Sequence, residues 1–277
     1  MNTLYNILAA LLPFSFIQFD FMKNALLAVL LVTPLFGMLG TMAVNNKMAF
    51  FSDALGHSAM TGIALGVMLG AGDPIICMLA FGVLFGLGIR KVKSSTKASA
   101  DTVISVFSSA AMALGIVILS KNGGFSKYSS YLIGDILTVS PSYIKVLAAV
   151  LAVSYVVWYF IYNRLMLLSI NPSLSASRGI NNALTENIFV VIVAVAVMLS
   201  IRQIGMLTIN SLLILPAASA RNIARDSKQY HILSTVIAML CGVFGLIISF
   251  YADTAAGATM VLLAAAVYFA TYFVSKN

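Results

Sequence analysis

From residue 24 to residue 46 the chain has no charged side chain, and the same holds for residues 146–163, 187–201 and 229–252. About 20 apolar residues in a row are what a helix needs to cross the hydrocarbon layer of a bilayer. Inside lipid each backbone polar group must find its partner within the segment, so runs of this kind are committed to α-helix. A transmembrane β-barrel would show short alternating strands instead. Charged residues make up 9% of the 277 and hydrophobic residues 61%, whereas a soluble domain carries about 25% charge. The expected fold class is all-α, a polytopic membrane protein whose single integral domain takes in the whole chain, 1–277.

Nine candidate spans can be drawn, over residues 24–44, 50–70, 74–90, 102–119, 142–162, 187–201, 203–216, 231–250 and 257–274. The sixth and seventh are short. Basic residues collect on the cytoplasmic side of membrane proteins, which orients the spans. With the N-terminus outside and the C-terminus inside, only Lys23, Lys121, Lys127, Lys145 and Arg202 of the 16 basic residues fall outside. Those inside include Lys47, Arg90, Lys91, Lys93, Lys97, Arg164, Arg178, Arg221, Arg225, Lys228 and Lys276. The net charge of +8 is thus assigned to cytoplasmic loops, and nucleic acid is not an expected partner. Residues 1–22 begin without Lys or Arg, which argues against a cleavable signal, and Pro13 interrupts their apolar run. An interfacial N-terminal helix is expected there. Cys77 and Cys241 sit singly in apolar runs and are read as small buried hydrophobes.

Within the second span stands Phe51-Ser52-Asp53-Ala54-Leu55-Gly56-His57-Ser58-Ala59-Met60-Thr61-Gly62. It holds one of eight acidic residues and one of two histidines. Asp53 and His57 are four apart and share a helix face. Ionisable groups within a membrane segment are costly unless they face a polar cavity or bind something. A carboxylate oxygen and an imidazole nitrogen suit Zn²⁺ or Mn²⁺ better than soft Cu(I). Two ligands do not complete a site; the rest could come from water, another helix or a second copy of the chain. The small residues Gly56, Ser58, Ala59, Gly62 and Gly66 permit close helix approach. In the competing reading Asp53 caps the helix start and His57 makes a buried hydrogen bond.

A second stretch runs from Gly205 to Asp226. An apolar span reaches Pro216, a residue suited to open a helix because its missing N–H is not needed there. Small residues follow, Ala217, Ala218, Ser219 and Ala220, then Arg221 and Arg225 four apart. The expectation is a short cytoplasmic helix over 217–228, shaped for docking onto a soluble partner; an ordinary basic loop is the alternative. Asp253, followed by small residues, reads as an external turn. His231 is expected near an interface, and Trp158 with Tyr155, Tyr159 and Tyr162 in an aromatic belt. The chain contains no G-x-x-x-x-G-K-[ST] loop, so any ATP hydrolysis by that mechanism belongs to another subunit, and no enzyme active site is expected.

SDALGHSAMTGIALG, YLIGDILTVS, IGMLTINSLLILPAASARNIA and SFYADTAAGAT, in this order, resemble the membrane permease of bacterial ABC-3 transporters, which take up zinc, manganese or iron. The resemblance runs from about Asn24 to the C-terminus. It implies two permease chains forming a pore, separate cytoplasmic ATP-binding subunits and an extracellular metal-binding protein, all in a bacterial plasma membrane. It also implies that Asp53 and His57 contact the metal in transit. Pro216–Arg221 is similar to the helix that couples the permease to the ATPase. Zn²⁺ or Mn²⁺ would then be cargo, with no permanent cofactor. Ser52, Gly56 and Thr61 stand where the family usually has glycine, serine and proline. A proton-coupled carrier using Asp53 and His57 as a relay is the alternative reading.

Overall fold

The computed structural model describes residues 18–121 and 134–275. The interfacial helix expected over residues 1–22 falls outside these residues except for its last few positions, as does most of the loop between residues 120 and 141. The helices are α1 (Asp20–Asn45), α2 (Phe51–Met68), α3 (Pro74–Ser95), α4 (Ala100–Lys121), α5 (Pro141–Ile170), α6 (Pro172–Ser177), α7 (Asn182–Ile204), α8 (Met206–Ile223), α9 (Ser227–Ala252) and α10 (Ala256–Ser275). A 3₁₀ turn, Ile136–Thr138, precedes α5. Among the described residues all regular structure is helical, and each of the nine stretches expected as spans coincides with a helix.

By length and composition, α1, α3, α4, α5, α7, α9 and α10 can cross a membrane. Besides the six-residue α6, two helices fall below that standard, α2 and α8, with 18 residues each. Their lower hydropathy has a direct cause: they carry Asp53 and His57, and Asn210, Arg221 and Asn222. The segments with candidate chemistry are the least lipid-like.

Short polar residues punctuate the chain. Asp73 caps α3 by accepting from Ile75 N at 3.0 Å, with Pro74 in the first turn where its missing donor costs nothing. Asn171 caps α6 in the same way. Asp135 accepts from Leu137 N and opens the 3₁₀ turn. Asp253 stops α9 in a left-handed conformation with φ 52°, forming the turn expected there.

The chain divides into two compact units. One comprises the chain up to Thr41, Asp135–Val153 and everything from Gln203 onward; the other comprises Met42–Gly134 and Ser154–Arg202. In the latter, α2 packs along both α3 and α4. A Cβ on Gly62 would lie 2.5 Å from Met78 Cα, so only glycine permits this approach of α2 to α3. The Thr61 hydroxyl donates to the Ala111 carbonyl and ties α2 to α4. Phe51, Leu55, Ile63 and Phe189 are fully enclosed.

In the other unit, α8, α9 and α10 pack against one another. Here α1 meets α8 at Gly40, where an added Cβ would stand 1.8 Å from the Leu213 carbonyl oxygen. Tyr230, Cys241 and Ala264 form part of a buried cluster on α9 and α10. Cys77 and Cys241 are both free thiols, and Cys241 is buried.

Candidate functional site

Asp53 lies in the first turn of α2, where a carboxylate complements the positive end of the helix dipole. The N-cap position is Phe50, whose side chain makes no capping hydrogen bond. One turn further on, His57 Nε2 is 3.5 Å from Asp53 Oδ2. The pair expected from the spacing is therefore formed.

Its surroundings are selective. From Phe51 to Ala64 every residue of α2 is buried except Asp53 and His57. Their side chains remain 46% and 25% exposed, respectively. Small neighbours account for this: Gly56, Ser58, Ala59 and Gly62 let the rest of the helix surface be covered closely, leaving one open strip two residues long. Ser52, beside the acid, is 1% exposed.

The separation suits a divalent metal. Zinc bonds to nitrogen and oxygen ligands are about 2.0–2.2 Å, which puts neighbouring ligand atoms of a tetrahedral site roughly 3.4 Å apart. The pair supplies one such edge. Among the described residues no cluster of three or more His, Cys, Asp or Glu side chains is arranged to hold a metal. A carboxylate and an imidazole on an exposed strip supply two of the four donors of a tetrahedral site.

The segment from Pro216 to Arg225 lies in the other unit. It differs from expectation in one respect: Pro216 does not open a new helix but sits inside α8, which continues to Ile223. A short helix over 217–228 is not formed; the α8 terminus, the connector at residues 224–226 and the first turn of α9 share those positions. The physical reason is that proline removes only its own donor, toward the Leu212 carbonyl, and helices among other helices tolerate that loss. Ala217, Ala218 and Ala220 then propagate the helix well. Ser219 donates to the Leu215 carbonyl at 2.7 Å.

Pro216, Ala217, Ser219 and Ala220 are buried and Ala218 is half-buried, whereas Arg221 and Arg225 are exposed. Asn222 Nδ2 donates to Thr271 Oγ1 at 3.2 Å and holds the α8 end to α10. Ala224 N closes α8 on the Ala220 carbonyl at 2.8 Å. Asp226 then caps α9 through Gln229 N at 2.8 Å, while Gln229 Oε1 accepts from Arg225 N at 2.8 Å. The two arginines thus project from a fixed corner between two helices. His231 is not beside them as a ligand; its Nδ1 lies 2.6 Å from Thr41 Oγ1 on α1.

With this geometry in place, the family can be stated. The sequence profile of the ABC 3 transport family matches residues 18–275. The chain belongs to that family. A relative from Haemophilus influenzae, described as a high-affinity zinc uptake system membrane protein, ZnuB, is 31% identical over 259 residues, 92% of this chain and 98% of the relative. The manganese import system permease protein ScaB of Streptococcus gordonii is 26% identical over 94% of this chain and 93% of its own. Among solved structures, PsaBC from Streptococcus pneumoniae in complex with Fab matches with a TM-score of 0.79 and 26% identity, covering 99% of this chain and 96% of that one. The ABC 3 match takes in α2 and α8 entire, so both motif-bearing helices lie within the family region.

One cluster was not singled out from the sequence. Glu186, near the start of α7, accepts from Arg90 Nε at 3.1 Å and from Lys93 Nζ at 3.2 Å, both on α3. Lys93 also reaches the Asn46 carbonyl at 3.5 Å. Its only sequence trace is a lone acid ahead of the uncharged apolar run 187–201.

Proposed function

We propose that this chain is the membrane permease of an ATP-driven importer of a divalent metal ion, zinc or manganese. Two copies form the ion pathway, and Asp53 and His57 hold the ion in transit. The observation that carries this reading is the open strip of α2. In a helix otherwise enclosed over its first four turns, the two uncovered side chains are one metal-ligating acid and one imidazole. Relatives described as zinc and manganese permeases support the choice of cargo.

An extracellular binding protein delivers the ion, and ATP hydrolysis takes place in separate cytoplasmic subunits. The corner at Arg221 and Arg225 receives those subunits, with the largely buried run Pro216–Ala220 carrying motion into the helix bundle. Nine helices cross a bacterial plasma membrane, the N-terminus outside and the C-terminus inside. The contact of Glu186 with Arg90 and Lys93, and of Lys93 with Asn46, supports this order. It gathers the end of α1, the end of α3 and the start of α7 together, as alternating spans require.

The test is reconstitution in proteoliposomes with the ATP-binding subunit and the binding protein. Uptake of radioactive zinc or manganese that requires ATP is expected. Uptake without the ATP-binding subunit, driven by a pH gradient, would instead establish a proton-coupled carrier.

A further inference from the structure

At the far end of α5, a cavity of about 460 Å³ opens between that helix and the segment around α6. Its volume falls within the range of small-molecule sites. Asn163, Arg164 and Arg178 line it together with Leu167, Ile170 and Ile180. Among the described residues neither guanidinium pairs with a carboxylate. Both arginines are exposed, and Ile170 on the same rim is 71% exposed. A cavity lined both by two cations without a carboxylate partner and by aliphatic side chains asks for a ligand that is both anionic and apolar.

The position along α5 indicates where such a ligand comes from. Trp158 and Tyr162, with ring centroids 5.9 Å apart, stand just before Arg164. Tyr159, 80% exposed, and Phe160 flank them on the outer surface. Aromatic side chains of this kind settle at the headgroup level of a bilayer. Arg164 is thus placed at phosphate depth, and the exposed apolar face of α5 leads from the cavity back toward the membrane interior. Basic pockets at this depth on the cytoplasmic side hold anionic headgroups.

We propose that this cavity binds an anionic phospholipid, its phosphate between Arg164 and Arg178 and an acyl chain along α5 past Tyr162 and Tyr159. The inference rests on the membrane-spanning orientation given above but not on transport or on metal.

The sole tryptophan, Trp158, provides the probe. The full-length permease is placed in nanodiscs of phosphatidylcholine, and either brominated phosphatidylglycerol or brominated phosphatidylcholine is titrated in. Bromine on an acyl chain beside Trp158 quenches its fluorescence. The anionic lipid is expected to quench at about tenfold lower mole fraction than the neutral one, from two basic contacts at the surface. In Arg164→Gln/Arg178→Gln the preference should vanish, and in Arg164→Lys/Arg178→Lys most of it should persist.

Equal quenching by both lipids in the unaltered protein would overturn the proposal, as would a preference that survives the double glutamine change. Competition by millimolar inorganic phosphate as effective as that by lipid would make this a free-anion site and equally overturn it. So would loss of the ATP-binding subunit from the purified glutamine variant with lipid preference unchanged, since the cavity would then be a protein contact. None of these outcomes depends on metal uptake, so failure here leaves the importer reading standing, and failure of uptake leaves the lipid result standing.

Discussion

Arg90 donates through Nε to Glu186 Oε2 at 3.1 Å, although the two residues are 96 positions apart in the chain. Lys93 contacts the other carboxylate oxygen, so two cations share one acid. All three side chains are between 15% and 20% exposed. Hydrogen bonds to charged groups contribute about 1.5–3 kcal/mol when the partner is left behind, and partial exposure trims that. Glu186→Gln is therefore expected to lower the stability of the detergent-solubilised protein by ~1–2 kcal/mol, read as an earlier loss of the monodisperse peak on heating. A melting profile identical to that of the unaltered protein would show that the cluster contributes nothing.

Asp53→Ala and His57→Ala should each reduce metal uptake by at least about tenfold, since losing even an outer partner of a metal site costs 10–100-fold. Both side chains face an opening instead of the packed core, so membrane insertion and thermal stability should stay close to those of the unaltered protein. Radioactive metal flux measured beside a size-exclusion profile separates the two effects. Full transport in both variants would remove the site from the pathway.

Arg221→Ala/Arg225→Ala tests the corner between α8 and α9. Both side chains are exposed, and the fixed backbone there depends on Asp226, Gln229 and Asn222 instead. The expected outcome is an intact permease whose ATP-binding subunits hydrolyse ATP without responding to the loaded binding protein. Stimulation preserved at its normal level would count against the docking role.

Gly62→Leu should be poorly tolerated and Gly72→Ala should not matter. The first would push a side chain into the Met78 backbone, whereas a Cβ at Gly72 meets nothing within 4 Å. Overpacking of this kind costs about 1–3 kcal/mol or more. Expression and thermal stability of the two variants, measured side by side, should differ in that order; equal behaviour would mean that α2 and α3 can separate at this level.

The sequence reading and the fold agree where the signal is local. Apolar runs became helices because lipid leaves the backbone no other choice, and Asp53 met His57 because four residues make one turn. The reading failed where two local rules compete. Proline is favoured in a first helical turn and also tolerated within helices surrounded by other helices, and at Pro216 the second condition holds; nothing in the neighbouring alanines could reveal it. Helix ends were drawn short for a related reason: α5 extends to Ile170 through Asn163 and Arg164, which leave the apolar layer without leaving the helix. The bridge from Glu186 to α3 is a product of packing between distant segments, and charge spacing along the chain holds no record of it.

Gly40 sets a limit on how this permease can rearrange. Its missing side chain lets α1 rest directly on the Leu213 carbonyl of α8, so the two helices are keyed together and cannot slide past each other at that level. The next residue, Thr41, is the last of its compact unit, and Met42 already belongs to the other. Any side chain at Gly40 would therefore wedge α1 and α8 apart inside that first unit, just before the chain leaves it.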